Sequence, residues 1–105
     1  MSSESLRFGL EDLLADLEHA RRSGDLGRLA LLSYCELRRW ARVAARQELA
    51  DHANRLFLKA PYANRESFLR AVDQLIEEAK EVLHDDLRMR LAPNNTSPLR
   101  SADLA

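Results

Sequence analysis

Two histidines follow an acidic residue at the three-residue spacing that some helical bundles use to hold paired metal ions. The pairs are Glu81 with His84 and Asp16 with His19. In a di-metal bundle the carboxylate and the imidazole must point into the interior. At about 100° per residue, both histidines fall far from the apolar side of their helix. We therefore expect solvent-exposed side chains, and we predict no metal site and no cofactor.

His52 and Cys35 are the remaining candidates for covalent chemistry. A helical histidine can accept a phosphoryl group, as in histidine phosphotransfer bundles, but the Lys and Gly that usually follow it are missing here. Cys35 is the single cysteine and has arginines nearby, which favour a thiolate. The sequence shows no base to activate it. We expect an ordinary surface or turn histidine and a small, semi-buried cysteine, and we predict no enzyme.

Arginines cover one broad face of the second predicted helix, at Arg28, Arg38, Arg39, Arg42 and Arg46. Such a face can contact nucleic-acid phosphates or an acidic protein. It can also be solvated, or paired with acidic residues of the last helix. The formal net charge of the chain is −1, and aromatic residues are not interleaved with these arginines as stacking platforms. Nucleic acid is therefore the less favoured partner.

A second apolar surface lies among those arginines, opposite the main apolar stripe of the same helix. A helix that is apolar on two sides is either central in its bundle or part of an interface, and both interpretations stay open. An apolar centre with an arginine rim is typical of protein interfaces. The candidate interface residues are Leu31, Leu32, Cys35, Arg28, Arg38, Arg39 and Arg42.

The first two helices are indicated by apolar spacing and by local stop and start signals. Helix 1 is predicted from about Ser5 or Gly9 to Arg22, because leucines recur on one side at helical spacing. Gly24 suits the position after its last turn, and Asp25 can cap helix 2. Trp40 lies in the middle of the helix 2 stripe.

After Ala45 the apolar stripe changes direction. Its later members, beginning with Leu49, lie about 160° from the earlier ones on a helical wheel. Either the helix breaks near Ala45–Glu48, or it kinks and continues towards different neighbours. Neither glycine nor proline stands there, so a kink or a long helix is the preferred interpretation.

The last helix is predicted to start after Asn64, which can cap it. Its apolar residues alternate at four and three residues, in the manner of a coiled-coil seam, until Leu83. The whole pattern predicts an all-α, up-and-down bundle of three to four amphipathic helices over residues 1–91. Residues 92–105, rich in Pro, Asn and Ser, are predicted to form a flexible tail.

The turn between the first two helices, with Ala20, Gly24 and Asp25, loosely resembles that of the flagellar export chaperones, which are small helical bundles. The resemblance covers about a third of the chain and implies a small helical binding protein. It assigns no site residues.

The chain carries no sequence sign of export or of membrane insertion. Its first residues lack a basic segment followed by an apolar run, and no long apolar stretch occurs. We expect a small cytoplasmic protein-interaction module, an adaptor, chaperone or regulator, whose partner is another protein or a second copy in a homodimer. No small-molecule substrate is evident. The alternative is a nucleic-acid-associated regulator that uses the arginine face.

Overall fold

The computed structural model describes residues 3–91, which form four helices and contain no strand. These are α1 (Ser3–Ser23), α2 (the continuous helical run 26–43), α3 (Gln47–Leu58) and α4 (Arg65–Leu91). Within α2, α-helical Leu26–Leu31 and Arg38–Val43 flank a π-helical segment, Leu32–Leu37. The predicted all-α bundle is confirmed, and the predicted tail lies outside the described residues. None of the described helices combines the length and apolarity needed to cross a membrane.

The helices pack in a closed order, because α1 contacts α2 and α4, and α3 contacts the same two helices. The apolar stripe of each helix faces this common interior. Each fully buried leucine contributes roughly 1.5–3 kcal/mol of transfer free energy. The buried apolar residues are Leu10, Leu14, Leu17, Ala20, Leu29, Leu32, Leu37, Ala41, Leu49, Ala50, Ala53, Leu56, Phe68, Val72, Leu75, Ile76 and Ala79.

The turn from α1 to α2 is formed by Gly24 and Asp25, as predicted. Gly24 has a φ of 72°, which glycine adopts without a steric cost. The Asp25 N–H donates to the Ala20 carbonyl at 3.0 Å, and the Gly24 N–H donates to Arg21 at 3.4 Å. These two bonds make a Schellman motif. The Asp25 carboxylate then accepts from the Arg28 backbone N–H at 3.1 Å and caps α2.

The turn from α2 to α3 repeats this motif without a glycine. Ala45 has a φ of 59°. The Arg46 N–H donates to the Ala41 carbonyl at 2.7 Å, and the Ala45 N–H donates to Arg42 at 3.1 Å. The preferred interpretation of a kink or a long helix is therefore wrong, since the chain leaves the helix here. The turn lets both apolar stripes, which one straight helix could not bury together, face the same core.

Polar contacts fix how α4 lies against α1. Arg21 of α1 donates two hydrogen bonds to Asp73 of α4, at 2.9 and 3.2 Å, and this contact raises the pKa of the guanidinium. Lys80 of α4 lies 2.9 Å from Glu18 of α1, and its pKa is raised by that carboxylate. Exposed pairs of this kind add at most about 1 kcal/mol each, so they select the register more than they stabilise the bundle.

The connection from α3 to α4 is held by side-chain bonds to the backbone. The Tyr62 hydroxyl donates to the Leu56 carbonyl at 3.0 Å. The Asn64 side chain accepts from the Ser67 N–H at 2.8 Å, so the predicted cap of the last helix is confirmed.

Candidate protein-interaction surface

Exposed apolar side chains stand on both α2 and α3, which pack against each other. Leu31 of α2 is 51% exposed, and Phe57 and Leu58 of α3 are 50% and 68% exposed. The ring of Tyr34, three residues after Leu31, meets the Phe57 ring edge-on at 5.6 Å. We call Leu31, Tyr34, Phe57 and Leu58 the apolar strip. Two helices contribute to it, so it forms only in the folded chain.

Aromatic contacts anchor the strip to the core. The Tyr34 ring lies 6.3 Å from that of Phe68, a buried residue of α4, and Tyr62 lies 5.6 Å from the same ring. These residues line a shallow cavity of about 420 Å³ at this end of the bundle. Burial raises the pKa of Tyr34 and of Tyr62. The rings are thus held in place before any partner arrives, which lowers the entropic cost of binding.

Two of the predicted arginines flank the strip. Arg28 lies one helical turn before Leu31 and is exposed, with its nearest carboxylate on Asp16 at 3.8 Å. Arg38 lies one turn after Tyr34 and donates to the Asn54 side chain of α3 at 2.9 Å. This bond ties α2 to α3 beside the strip.

The other two arginines of the predicted interface lie farther along α2. Arg39 is exposed and donates to Glu36 at 2.7 Å. Arg42 is exposed and makes no hydrogen bond or ion pair with any residue in 3–91. Pairing of this arginine face with acidic residues of the last helix, one of the alternatives left open, is not observed among the described residues.

The structure divides the predicted interface residues into two groups. Leu31 and Cys35 are exposed, but Leu32 is only 3% exposed and belongs to the core. Of the two interpretations left open, central burial holds for Leu32, which is no interface residue in the folded chain. The expectation that Cys35 is semi-buried is wrong. Leu32 lies three residues after the buried Leu29, so the two side chains share one side of α2 and both reach the core. Ser33 and Leu37 of the π-helical segment are also buried.

Sequence reasoning did not select Tyr34, Phe57 or Leu58 for the surface. Leu56, Phe57 and Leu58 are consecutive in α3 and spread over about 200° of its circumference, so the three cannot all face one core. This run of apolar residues was the sequence signal for an exposed apolar side chain. The contact between Tyr34 and Phe57 depends on the packing of two helices, which no local pattern reports.

The three histidines lie outside the apolar strip. His19 and His84 are exposed, as predicted. His52 is not an ordinary surface histidine, because it is partly buried between α3 and α4, with its Nδ1 2.5 Å from Glu78 Oε1. Across residues 3–91, no group of three or more His, Cys, Asp or Glu side chains is arranged to hold a metal ion.

Comparison with known proteins gives no relative, since the chain matches no protein-family model, no curated protein and no solved structure. The resemblance to flagellar export chaperones therefore receives no support from a family model. Only the chain's own residues therefore indicate its function.

Proposed function

We propose that this chain is a small cytoplasmic protein-interaction module, without catalytic activity of its own, that binds an acidic protein segment on the apolar strip. The observation that carries the proposal is the edge-on contact of the Tyr34 and Phe57 rings, together with the exposure of Leu31, Phe57 and Leu58. Apolar surface in water is unfavourable by about 25 cal/mol per Å², and a bound partner would remove that surface from water. Clustered exposed apolar residues mark interaction sites more often than scattered ones do.

The charges around the strip favour an acidic protein over a second copy of this chain. Arg28 and Arg38 stand at its two ends. In a two-fold dimer formed through this surface, the arginines of one copy would face the arginines of the other, and their like charges would repel each other. An acidic partner with apolar side chains would complement both the rim and the centre.

The arginines support a nucleic-acid partner less well. Two of the five arginines already have a partner, since Arg38 is engaged with Asn54 and Arg39 with Glu36. The exposed rings and leucines of the strip would gain little from a phosphate backbone. The test of the proposal must therefore distinguish DNA binding from protein binding.

Cys35 provides the test, because its exposed thiol lies one turn from Leu31 and is the single cysteine of the chain. A benzophenone maleimide attached there would crosslink a protein bound on the strip. We expect a discrete crosslinked product with an acidic protein in native lysate. Phe57→Ser should remove the product, and Phe8→Ser should not. Phe8 is the matched control, since it is 53% exposed but lies on α1.

Three results would contradict the proposal. The first is a crosslinked yield that falls equally in both serine variants. The second is a product made of two copies of this chain. The third is retention on generic DNA with a steep dependence on salt, which would favour the nucleic-acid function.

A further inference from the structure

A small, partly enclosed cavity lies among α1, the end of α2 and the second half of α4. Its volume is about 140 Å³. It is lined by Leu6, Arg7, Leu10, Trp40, Ala44, Arg46, Val82, Leu83 and Asp86. None of these residues belongs to the apolar strip, so this cavity is independent of the proposed protein partner.

The walls of the cavity are apolar and well fixed. The Trp40 indole N–H donates to the Leu6 carbonyl at 2.7 Å, which holds the ring against α1. Leu10 is 1% exposed and forms part of the core. A cavity of about 150 Å³ lined by such side chains accepts one benzene ring in other proteins. The space beside Trp40 is therefore suited to one ring or a short branched chain.

The cavity is also lined by two arginines and one aspartate, and Arg7 lies 3.5 Å from Glu11. Arg46 makes no ion pair or side-chain hydrogen bond with any residue that the structure describes. The Arg7 Nε is buried and has no hydrogen-bond partner among the described residues. A buried donor without a partner is unfavourable, so an acceptor placed there would be stabilising. Asp86 already has an interaction of its own.

We infer that the cavity beside Trp40 binds a small apolar monocarboxylate, with the hydrocarbon part against Trp40 and Val82 and the carboxylate at Arg46. A carboxylate is the natural partner of a guanidinium, because two parallel N–H···O bonds can form between them. A neutral ligand of the same shape fills the same space but leaves Arg46 unpaired. The inference therefore predicts that the cavity binds the charged ligand more tightly than the neutral one.

Benzoate and its neutral analogue benzamide are the probes, and Trp40 is the reporter. Trp40 is the single tryptophan, so its indole N–H gives one resonance in a ¹H–¹⁵N spectrum of the full chain. We expect benzoate to shift this resonance saturably and to show nuclear Overhauser contacts to the methyl groups of Val82 and Leu83. Its affinity should exceed that of benzamide about tenfold, the usual effect of a charge-assisted bond.

Arg46→Gln should reduce this preference to nearly equal affinities, and Arg42→Gln should leave it unchanged. Arg42 is the matched control, since it is an exposed arginine that does not line the cavity. Ala44→Leu, which fills the cavity, should abolish the binding of both probes. A circular dichroism melt verifies that each variant is folded.

The inference is overturned by a Trp40 shift that does not saturate, or by equal affinities of the unaltered protein for the two probes. An equal loss in the Arg42 and Arg46 variants would also overturn it. Retention of benzoate by a folded Ala44→Leu variant would show that the ligand binds elsewhere.

Discussion

The indole Nε1 of Trp40 donates to the backbone carbonyl of Leu6 at 2.7 Å, and this bond joins the end of α2 to the start of α1. The two residues are 34 positions apart in sequence. The ring also packs on Gly9, where the position of an added Cβ would lie 3.4 Å from two indole atoms. The single tryptophan thus closes one end of the bundle with a directed bond as well as with apolar contact.

Trp40→Phe and Trp40→Ala separate these two contributions. Trp40→Phe keeps a ring but loses the donor, and we expect it to lower the free energy of unfolding by about 1 kcal/mol. Trp40→Ala also removes the packing, and we expect a loss of about 3 kcal/mol, the lower end of the usual range because the ring is only half-buried. Urea denaturation measures both. Equal losses in the two variants would show that the ring contributes little beyond its hydrogen bond.

Ala45→Gly is expected to stabilise the protein. Ala45 has a φ of 59°, a conformation that costs a residue with a Cβ about 1–2 kcal/mol. Glycine removes that cost but adds entropy to the unfolded chain, so the net gain should be about 0.5 kcal/mol. Ala44→Gly is the control, since Ala44 has a negative φ and should only lose stability. Thermal melts that rank the two variants in the opposite order would contradict the assigned turn.

Gly24→Ala should have the opposite effect at the equivalent position of the first turn. Gly24 has a φ of 72°, and an added Cβ would lie 2.9 Å from Arg65 Nη2. The arginine can move, so we expect a loss of about 1 kcal/mol that comes mainly from the backbone. Gly27→Ala is the control, because an added Cβ there meets only Asp25 Oδ1 at 3.9 Å. That variant should gain about 0.5 kcal/mol from helix propensity. Equal melting temperatures for the two alanine variants would disprove the expectation.

These two turns show what the sequence can predict and what it cannot. Gly24 and Asp25 are residue types that favour a helix end and a helix cap, so the first turn was predictable. Ala45 is an ordinary helix former, and only the need to bury two differently oriented stripes takes the chain out of the helix. That need is tertiary, and a local pattern does not express it.

The candidate surface, like the turns, could be predicted from the sequence only in part. The sequence located an apolar surface with arginines on α2, and Leu31 and Arg28 are exposed there. It did not predict the π-helical segment Leu32–Leu37 or settle the burial of Leu32. It also could not supply Phe57, because that side chain joins the surface only through the packing of α3 on α2.

Leu31→Glu and Leu32→Glu test the boundary between the apolar strip and the core. Leu31 is 51% exposed and Leu32 is 3% exposed, although the two residues are adjacent. A glutamate at 31 keeps its carboxylate in water, so the free energy of unfolding should change by no more than about 0.5 kcal/mol. A glutamate at 32 must place a carboxylate among apolar neighbours or disrupt the packing, and we expect a loss of at least about 3 kcal/mol or outright unfolding. Circular dichroism melts distinguish the two variants. A folded Leu32→Glu protein of unchanged melting temperature would mean that Leu32 faces solvent rather than the core.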